Sequence, residues 1–150
     1  MRAVVQRVLE ASVSVDGQVI GKCDQGLMIL VGVSKVDQAK DAQSMARKIA
    51  KLRIFNDPEG KMNLSMSQLD SPAQALVVSN FTLYGDVKGQ NRPSFMDSAG
   101  FEAGKSLYEE FLKELEAQGV QVQTGEYGAD MQVALVNDGP VTLVIDSERL

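Results

Sequence analysis

The stretch "VALVNDGPVTLVID", residues 133–146, consists of two apolar, strand-forming runs separated by Asp138-Gly139-Pro140. Asp-Gly is by itself a good turn signal between two strands, because glycine readily adopts positive φ. Pro140 adds a residue that cannot donate to a strand ladder. Two interpretations follow. The segment is either a rigid turn or a backbone feature that meets a ligand, since glycine lets another molecule approach the main chain closely.

The patterns outside this stretch indicate many strands and few helices. Alternation and turn residues predict strands at 2–8, 11–15, 18–23, 27–33, 74–84, 120–125, 131–137 and 141–147. Apolar residues at helical spacing predict helices over about 37–52 and 99–117. Because the strands come in runs with two principal helices between them, we expect an α+β fold with a mainly antiparallel, barrel-like sheet.

Length and composition fit one globular domain spanning residues 1–150. Of the 150 residues, 44% are hydrophobic and 23% charged, and no apolar run approaches the ~18 residues that span a bilayer. The N-terminal segment alternates apolar and polar residues, which is typical of a strand and not of a signal peptide. The single cysteine, Cys23, excludes an internal disulfide. We therefore expect a cytoplasmic protein.

The chain contains no histidine, which excludes a Ser-His-Asp or Cys-His pair and a histidine-bound zinc. Its net charge of −5 argues against a general nucleic-acid binder. The charge is uneven, because residues 1–61 carry ten Lys/Arg and seven Asp/Glu, whereas 62–150 carry five and thirteen. A local basic patch on the first helix is one interpretation and a solvated helix face the other; the residues concerned are Lys40, Arg47, Lys48 and Lys51.

Two further segments carry candidate chemistry. In "SNFTLYG" at 79–85, the end of the predicted strand 74–84, strand alternation places Asn80, Thr82 and Tyr84 on one face, opposite Ser79, Phe81 and Leu83. The polar side chains then either face solvent or line a pocket, where the Thr82 hydroxyl and nearby backbone N–H groups could stabilise an oxyanion. The loop "KGQNRPSF" at 88–95 carries Lys88 and Arg92 between turn residues, a composition compatible with phosphate binding.

Four motifs together resemble those of the D-aminoacyl-tRNA deacylases. They are "GKMNLS" at 60–65, "SNFTLYG" at 79–85, "NRPSF" at 91–95 and "GADMQVALVNDGPVT" at 128–142, and the N-terminal "MRAVVQRV" is similar as well. The likeness covers essentially the whole chain. One departure is visible, since the family usually has glutamine where this chain has Asn80.

The resemblance implies a metal-free homodimer, with no cofactor, that hydrolyses the ester of D-aminoacyl-tRNA. A cis Gly139-Pro140 bond would enter the partner's active site and exclude L side chains, held by Arg7. Glycyl esters, including glycine mischarged on tRNA-Ala, would pass this selection. The implied catalytic segment is Ser79, Asn80, Phe81 and Thr82, with oxyanion contacts from N–H groups around Phe81 and Thr82, and the substrate's own 2′-hydroxyl assisting water.

Two other readings remain open. A non-catalytic dimeric RNA-binding module of the same fold would bind tRNA without turnover. A carboxylate-metal hydrolase would use the abundant Asp and Glu residues, although no cluster in the sequence is spaced for a shared ion.

Overall fold

The computed structural model describes residues 1–71 and 74–150. The described strands are β1 (Arg2–Val15), β2 (Gln18–Cys23), β3 (Gly26–Gly32), β4 (Phe55–Asn56), β5 (Met62–Leu64), β6 (Gln74–Ser79), β7 (Gln121–Thr124) and β8 (Gln132–Asp146). The α-helices are α1 (Ala39–Ala50) and α2 (Phe101–Ala117), and short 3₁₀ helices cover Met66–Gln68, Phe81–Tyr84 and Ser147–Arg149. Among these described residues, no helix combines the length and apolarity needed to cross a membrane.

Six strands form one curled sheet in the order β2-β1-β3-β6-β7, with β8 also paired to β1. The pairs that β1 makes with β2, β3 and β8 are antiparallel, whereas β3-β6 and β6-β7 are parallel. The sheet curls until Gly21 of β2 lies against β7, where a Cβ would stand 2.5 Å from the Thr124 carbonyl oxygen. The predicted α+β class with a mainly antiparallel, barrel-like sheet is confirmed.

Side-chain alternation along the strands separates two apolar clusters. Leu27, Ile29 and Val31 of β3 pack in the larger cluster, which also holds the buried faces of α1 and α2. Met28 of β3 points to the other side, into a smaller cluster that contains Cys23. Full burial of a Leu, Ile or Phe side chain contributes about 1.5–3 kcal/mol. The helix layer thus fixes one face of β3 and β6, whose carboxyl ends reach the cavity described below.

The final part of the chain differs from the prediction of two strands joined by a turn. Residues 132–137 and 142–146 both pair with β1 in the same antiparallel direction, so β8 is one strand. Gln6 pairs with Thr142 and Val8 with Asn137, which leaves the four residues 138–141 opposite Arg7 alone. The interpretation of Asp138-Gly139-Pro140 as a turn is therefore wrong. The segment is a local break in a strand that keeps its direction.

The predicted strand 74–84 is also too long. β6 ends at Ser79, and the chain bends into the 3₁₀ helix Phe81–Tyr84, here called the 81–84 turn. The expected two-faced alternation beyond Ser79 does not exist, since Tyr84 is buried whereas Thr82, predicted on the same face, is exposed together with Phe81. The Asn80 side chain gives the physical reason, because it binds the backbone two residues on in place of a strand ladder.

Candidate active site

A cavity of about 670 Å³ opens where β3 and β6 end. These two strands are parallel, so both of their carboxyl ends meet at the same edge of the sheet. The Asn80 N–H continues the pairing by donating to the Val31 carbonyl oxygen at 2.8 Å. Four of the predicted catalytic residues line this cavity together: Ser79, Asn80, Phe81 and Thr82.

Asn80 fixes the geometry of the 81–84 turn. Its backbone is extended, and its Oδ1 accepts a hydrogen bond from the Thr82 N–H at 3.1 Å. The same Oδ1 accepts the Thr82 hydroxyl proton at 2.5 Å. Both Thr82 donors are thus directed at Asn80, and among the described residues the Phe81 N–H has no hydrogen-bond acceptor.

Among the described residues, the Thr82 hydroxyl donates its hydrogen bond to Asn80 and not to a base. Its hydrogen-bond acceptor is an amide oxygen, which does not take up a proton near neutral pH, and a hydroxyl needs a neighbouring base to become a nucleophile. Thr82 is nevertheless exposed to the cavity, and its oxygen lone pairs can still accept a hydrogen bond. The arrangement therefore suits a group that orients a substrate or a water molecule.

Aromatic side chains form the cavity walls. Phe81 and Phe95 meet edge to face with ring centroids 5.0 Å apart, and Phe101 meets Tyr127 in the same way at 5.2 Å. Gly104 of α2 makes room for Tyr127, because a Cβ there would lie 2.4 Å from the Tyr127 hydroxyl oxygen. Burial raises the pKa of Tyr127, so the phenol lining the cavity is neutral.

Sequence reasoning missed these walls. Phe95 and Met131 lie inside two of the quoted motifs and line the cavity, but no role was predicted for them. Because both residues are apolar side chains next to turn residues, the sequence could have indicated that they line a site. Phe101 and Tyr127 gave no such signal, because only the folded chain brings the start of α2 against the loop after β7.

The 81–84 turn is supported from behind by β1 and β3. A guanidinium nitrogen of Arg2, Nη1, donates to the Leu83 carbonyl oxygen at 3.2 Å, and the group stacks 4.5 Å from the centroid of the Tyr84 ring. Arg2 also pairs with Asp146. Although burial alone raises the pKa of the Asp146 carboxyl, hydrogen bonds from the Glu148 N–H and from Arg2 outweigh it and lower the pKa.

The remaining predicted residues lie apart from the cavity. The Gly139-Pro140 peptide bond is cis, and Gly139 has a φ of +131°. Arg7, which is 6% exposed, donates to the Asp138 carbonyl oxygen at 3.1 Å and to the Ile54 carbonyl oxygen at 2.8 Å. None of residues 138–141 lines the cavity of its own chain. A single chain therefore brings Arg7 to the break in β8 but does not bring that break to the 81–84 turn.

Neither the first-helix patch nor Cys23 reaches the cavity. No residue of α1 lines it, and Arg47 is paired with Glu114 of α2 at 3.4 Å. Cys23 is buried in the smaller apolar cluster, and burial raises the pKa of its thiol. Within residues 1–71 and 74–150, no three Cys, Asp or Glu side chains are grouped so that they could hold a metal ion.

The fold and the site define a class of proteins: a curled α+β sheet with hydroxyl, amide and backbone groups at the ends of two parallel strands, and no histidine in the chain. A family model described as D-Tyr-tRNA(Tyr) deacylase matches residues 4–146. The chain belongs to the D-aminoacyl-tRNA deacylase family.

Relatives with that name match the whole chain. The D-aminoacyl-tRNA deacylase of Fervidobacterium nodosum is 52% identical over 150 residues, covering 100% of this chain and 99% of its own. The D-aminoacyl-tRNA deacylase of Brevibacillus brevis is 54% identical over 147 residues, covering 98% of this chain and 100% of its own.

Two solved structures share the fold. The "c-Myc DNA Unwinding Element Binding Protein" superposes with a TM-score of 0.86 at 38% identity, over 97% of this chain and 98% of its own. A probable eukaryotic D-amino acid tRNA deacylase superposes with a TM-score of 0.80 at 18% identity, over 96% and 97% of the two chains, and supports the fold alone.

Proposed function

We propose that this chain hydrolyses the ester bond of D-aminoacyl-tRNA and releases the free D-amino acid and tRNA. The observation that carries the proposal is the 81–84 turn, which places Phe81, whose N–H has no acceptor among the described residues, and the exposed Thr82 at a cavity of about 670 Å³. Family membership supplies the substrate class.

Hydrolysis of this ester requires few catalytic groups from the protein. An aminoacyl ester on a ribose is already activated, and the adjacent 2′-hydroxyl of the substrate can assist attack by water. The protein then supplies orientation and donors for the oxyanion that forms as water adds to the carbonyl carbon. In this proposal the Phe81 N–H is the oxyanion donor, and Thr82 orients the ester or the water.

Asn80 and Ser79 act on these groups in different ways. Asn80 holds the Thr82 hydroxyl and N–H in place through one oxygen atom. Ser79 is the last residue of β6 and fixes where the turn begins. Asn80 thus positions the catalytic segment from within the chain, and its shorter side chain, relative to the family's usual glutamine, suits a bond to a residue only two positions away.

Chiral selection requires a second subunit in this proposal. Because residues 138–141 lie away from the cavity of their own chain, they could act at a cavity only in a partner chain. In a homodimer, the main chain of Gly139 and Pro140 would fill the space that an L side chain must enter, and would leave a D side chain free. Glycyl esters have no side chain to exclude and would also be hydrolysed, including glycine mischarged on tRNA-Ala.

The first experiment compares the release of tyrosine from D-tyrosyl-tRNA and L-tyrosyl-tRNA, with and without a chelator. Chelator-insensitive loss of the D ester alone is the expected result. Thr82→Ala is expected to keep measurable activity, with a loss of up to about 10²–10³ in rate, which is the cost of removing one oxyanion-type donor. Thr82→Ser, which keeps the hydroxyl, is the matched control. Complete loss of activity in folded Thr82→Ala would contradict an orienting role.

A mixing experiment tests whether the site is shared between subunits. Gly139→Ala is expected to displace the break in β8, because its Cβ would meet the Val141 Cγ2 at 2.8 Å and its φ is unfavourable for an L side chain. Gly139→Ala alone is therefore expected to hydrolyse L-tyrosyl-tRNA as well. A composite site predicts that heterodimers of Gly139→Ala and Asn80→Ala/Thr82→Ala chains recover D-selective hydrolysis, because one of their two sites combines an intact 81–84 turn with an intact Gly139-Pro140. No recovery in verified heterodimers would refute the shared site.

One observation favours a second candidate function. The solved structure that is 38% identical to this chain carries the name of a DNA-binding protein. A non-catalytic dimeric RNA-binding module would bind tRNA and hydrolyse neither ester. The same assay, combined with a filter-binding measurement on tRNA, separates this function from the deacylase.

A further inference from the structure

We propose that the 87–93 loop is a contact surface for RNA phosphates, and that Lys88 and Arg92 bind the nucleotides preceding the terminal adenosine of the substrate. This inference rests on the proposed function, because it takes the ester end of tRNA to occupy the cavity. The sequence offers two basic segments for such a contact, the first helix and this loop, and the inference selects the loop.

The loop is built directly onto the catalytic turn. The Gly85 N–H donates to the Thr82 carbonyl oxygen at 2.9 Å, so the loop begins where the 81–84 turn ends. Asp86 and Ser94 then exchange two backbone hydrogen bonds, each 2.8 Å long, which close the base of the loop. The chain returns to the cavity at Phe95, whose ring packs against Phe81. Both ends of the loop are therefore fixed at the cavity mouth.

The two cations of the loop are free to meet an anion. Lys88 and Arg92 are exposed, and the ion pairs found in the described part of the chain include neither of them. The nearby Asp86 carboxylate accepts the Lys88 backbone N–H at 2.8 Å. Counting Asp86, residues 85–95 carry a net charge of +1 on a chain of −5. Although Asp130 lines the cavity itself, a polyanion that reaches the cavity mouth thus meets local positive charge at this loop, on a chain whose net charge is negative.

The basic residues of α1 do not offer the same geometry. Lys48 and Lys51 are also exposed, but no residue of α1 lines the cavity. The nucleotides that precede the terminal adenosine are joined to it covalently, so their phosphates stay close to the cavity mouth when the ester occupies the cavity. They lie beside the 87–93 loop. A phosphate contact at α1 would have to involve a more distant part of the RNA.

The test uses two double variants with the same change of charge: Lys88→Gln/Arg92→Gln and, as the matched control, Lys48→Gln/Lys51→Gln. Each is assayed for kcat/KM against salt concentration on D-tyrosyl-tRNA, and on the D-tyrosyl ester of adenosine, which has no phosphate. Each lost single-strand phosphate contact lowers the magnitude of the log–log salt slope by about 0.7. The loop variant should therefore lose about 1.4 in slope, so that its fall between 50 and 200 mM salt is about sevenfold smaller than that of the wild type.

The adenosine ester separates the possible outcomes. The loop variant should hydrolyse it like the wild type, while the α1 variant should match the wild type on both substrates. An unchanged salt slope in the loop variant, or an equal change in the α1 variant, would overturn the inference. If the wild-type protein hydrolyses neither ester, the proposed function itself fails. The loop is then judged on the salt dependence of binding to uncharged tRNA, where the same difference between the two variants is required.

Discussion

Replacing Arg7 by methionine removes a buried guanidinium and keeps a long apolar side chain on β1. Arg7 joins three segments of the chain, since its Nη1 donates to the Ile54 carbonyl oxygen and to the Asn56 Oδ1, and its Nε donates to the Asp138 carbonyl oxygen. Its Nε also lies 3.2 Å from the Asp138 carboxylate. The substitution therefore tests whether this one side chain holds the break in β8 against the body of the sheet.

The expected loss of stability is about 2–4 kcal/mol. A hydrogen bond from a charged donor contributes about 1.5–3 kcal/mol, but the three bonds do not simply add. Asn56 is exposed and the Asp138 side chain is 36% exposed, so water can replace the guanidinium at both. Ile54 is only 7% exposed, and its carbonyl oxygen would be left buried without its donor. The unsatisfied Ile54 carbonyl oxygen accounts for most of the expected loss of stability.

Urea unfolding of the wild type, Arg7→Met and Asp138→Asn gives the measurement. Asp138→Asn removes only a partly exposed ion pair and should cost at most about 1 kcal/mol. Arg7→Ala should cost more than Arg7→Met by the packing of the side-chain stem. A free energy of unfolding for Arg7→Met within 1 kcal/mol of the wild type would refute the reasoning, as would an Asp138→Asn variant that is equally destabilised.

Asn80→Ala is expected to lower the free energy of unfolding by about 1 kcal/mol, the usual value of an N-cap side chain, and to lower kcat more than it changes KM. Asn80→Asp keeps the acceptor and should recover the stability, so an equally unstable Asn80→Asp variant would contradict the capping role. Gly104→Ala should lower the free energy of unfolding, measured in urea, by about 1–3 kcal/mol, because the new methyl group overpacks against the Tyr127 hydroxyl. In a Tyr127→Phe background the same substitution should be neutral or stabilising, because alanine favours the helix over glycine. Burial raises the pKa of all three tyrosines, Tyr84, Tyr108 and Tyr127, so phenolate absorbance at 295 nm should appear in the folded protein only above the usual pKa of about 10. Because the unfolded chain loses these protons first, the free energy of unfolding should fall as the pH rises above about 10. Titration of the folded protein near pH 10 would contradict the raised pKa values.

The fold was largely readable from the sequence, because it depends on local periodicity. The helical spacing that predicted 37–52 and 99–117 corresponds to α1 and α2, and the Asp16-Gly17 turn separates β1 from β2 as expected. The parallel pairing of β3, β6 and β7 could not be read, since periodicity within a strand carries no information about its neighbour's direction.

The predicted strands 2–8 and 11–15 are one strand, β1, and the short β4 and β5 were not predicted. Two other errors lie where a side chain replaces a backbone partner. The Asn80 amide ends β6 early, and the Arg7 guanidinium satisfies carbonyl oxygens beside the break in β8. Both effects depend on contacts that strand propensity does not describe. The four residues from Ser79 to Thr82 were nevertheless expected to belong to one site, and the structure brings all four to the same cavity. Their catalytic roles remain a proposal.

From the geometry of β8, we expect its break also to hinder the addition of a strand from another molecule. Among the described strands, β8 pairs only with β1, so its other edge offers a template to which a strand from another molecule could add. Residues 138–141 interrupt that template near its middle, and Pro140 has no N–H to donate. An incoming strand could match one half of the edge but would lose register at the other. A mutant with a continuous β8 should therefore be more prone to fibril formation, even if it were more stable as a monomer.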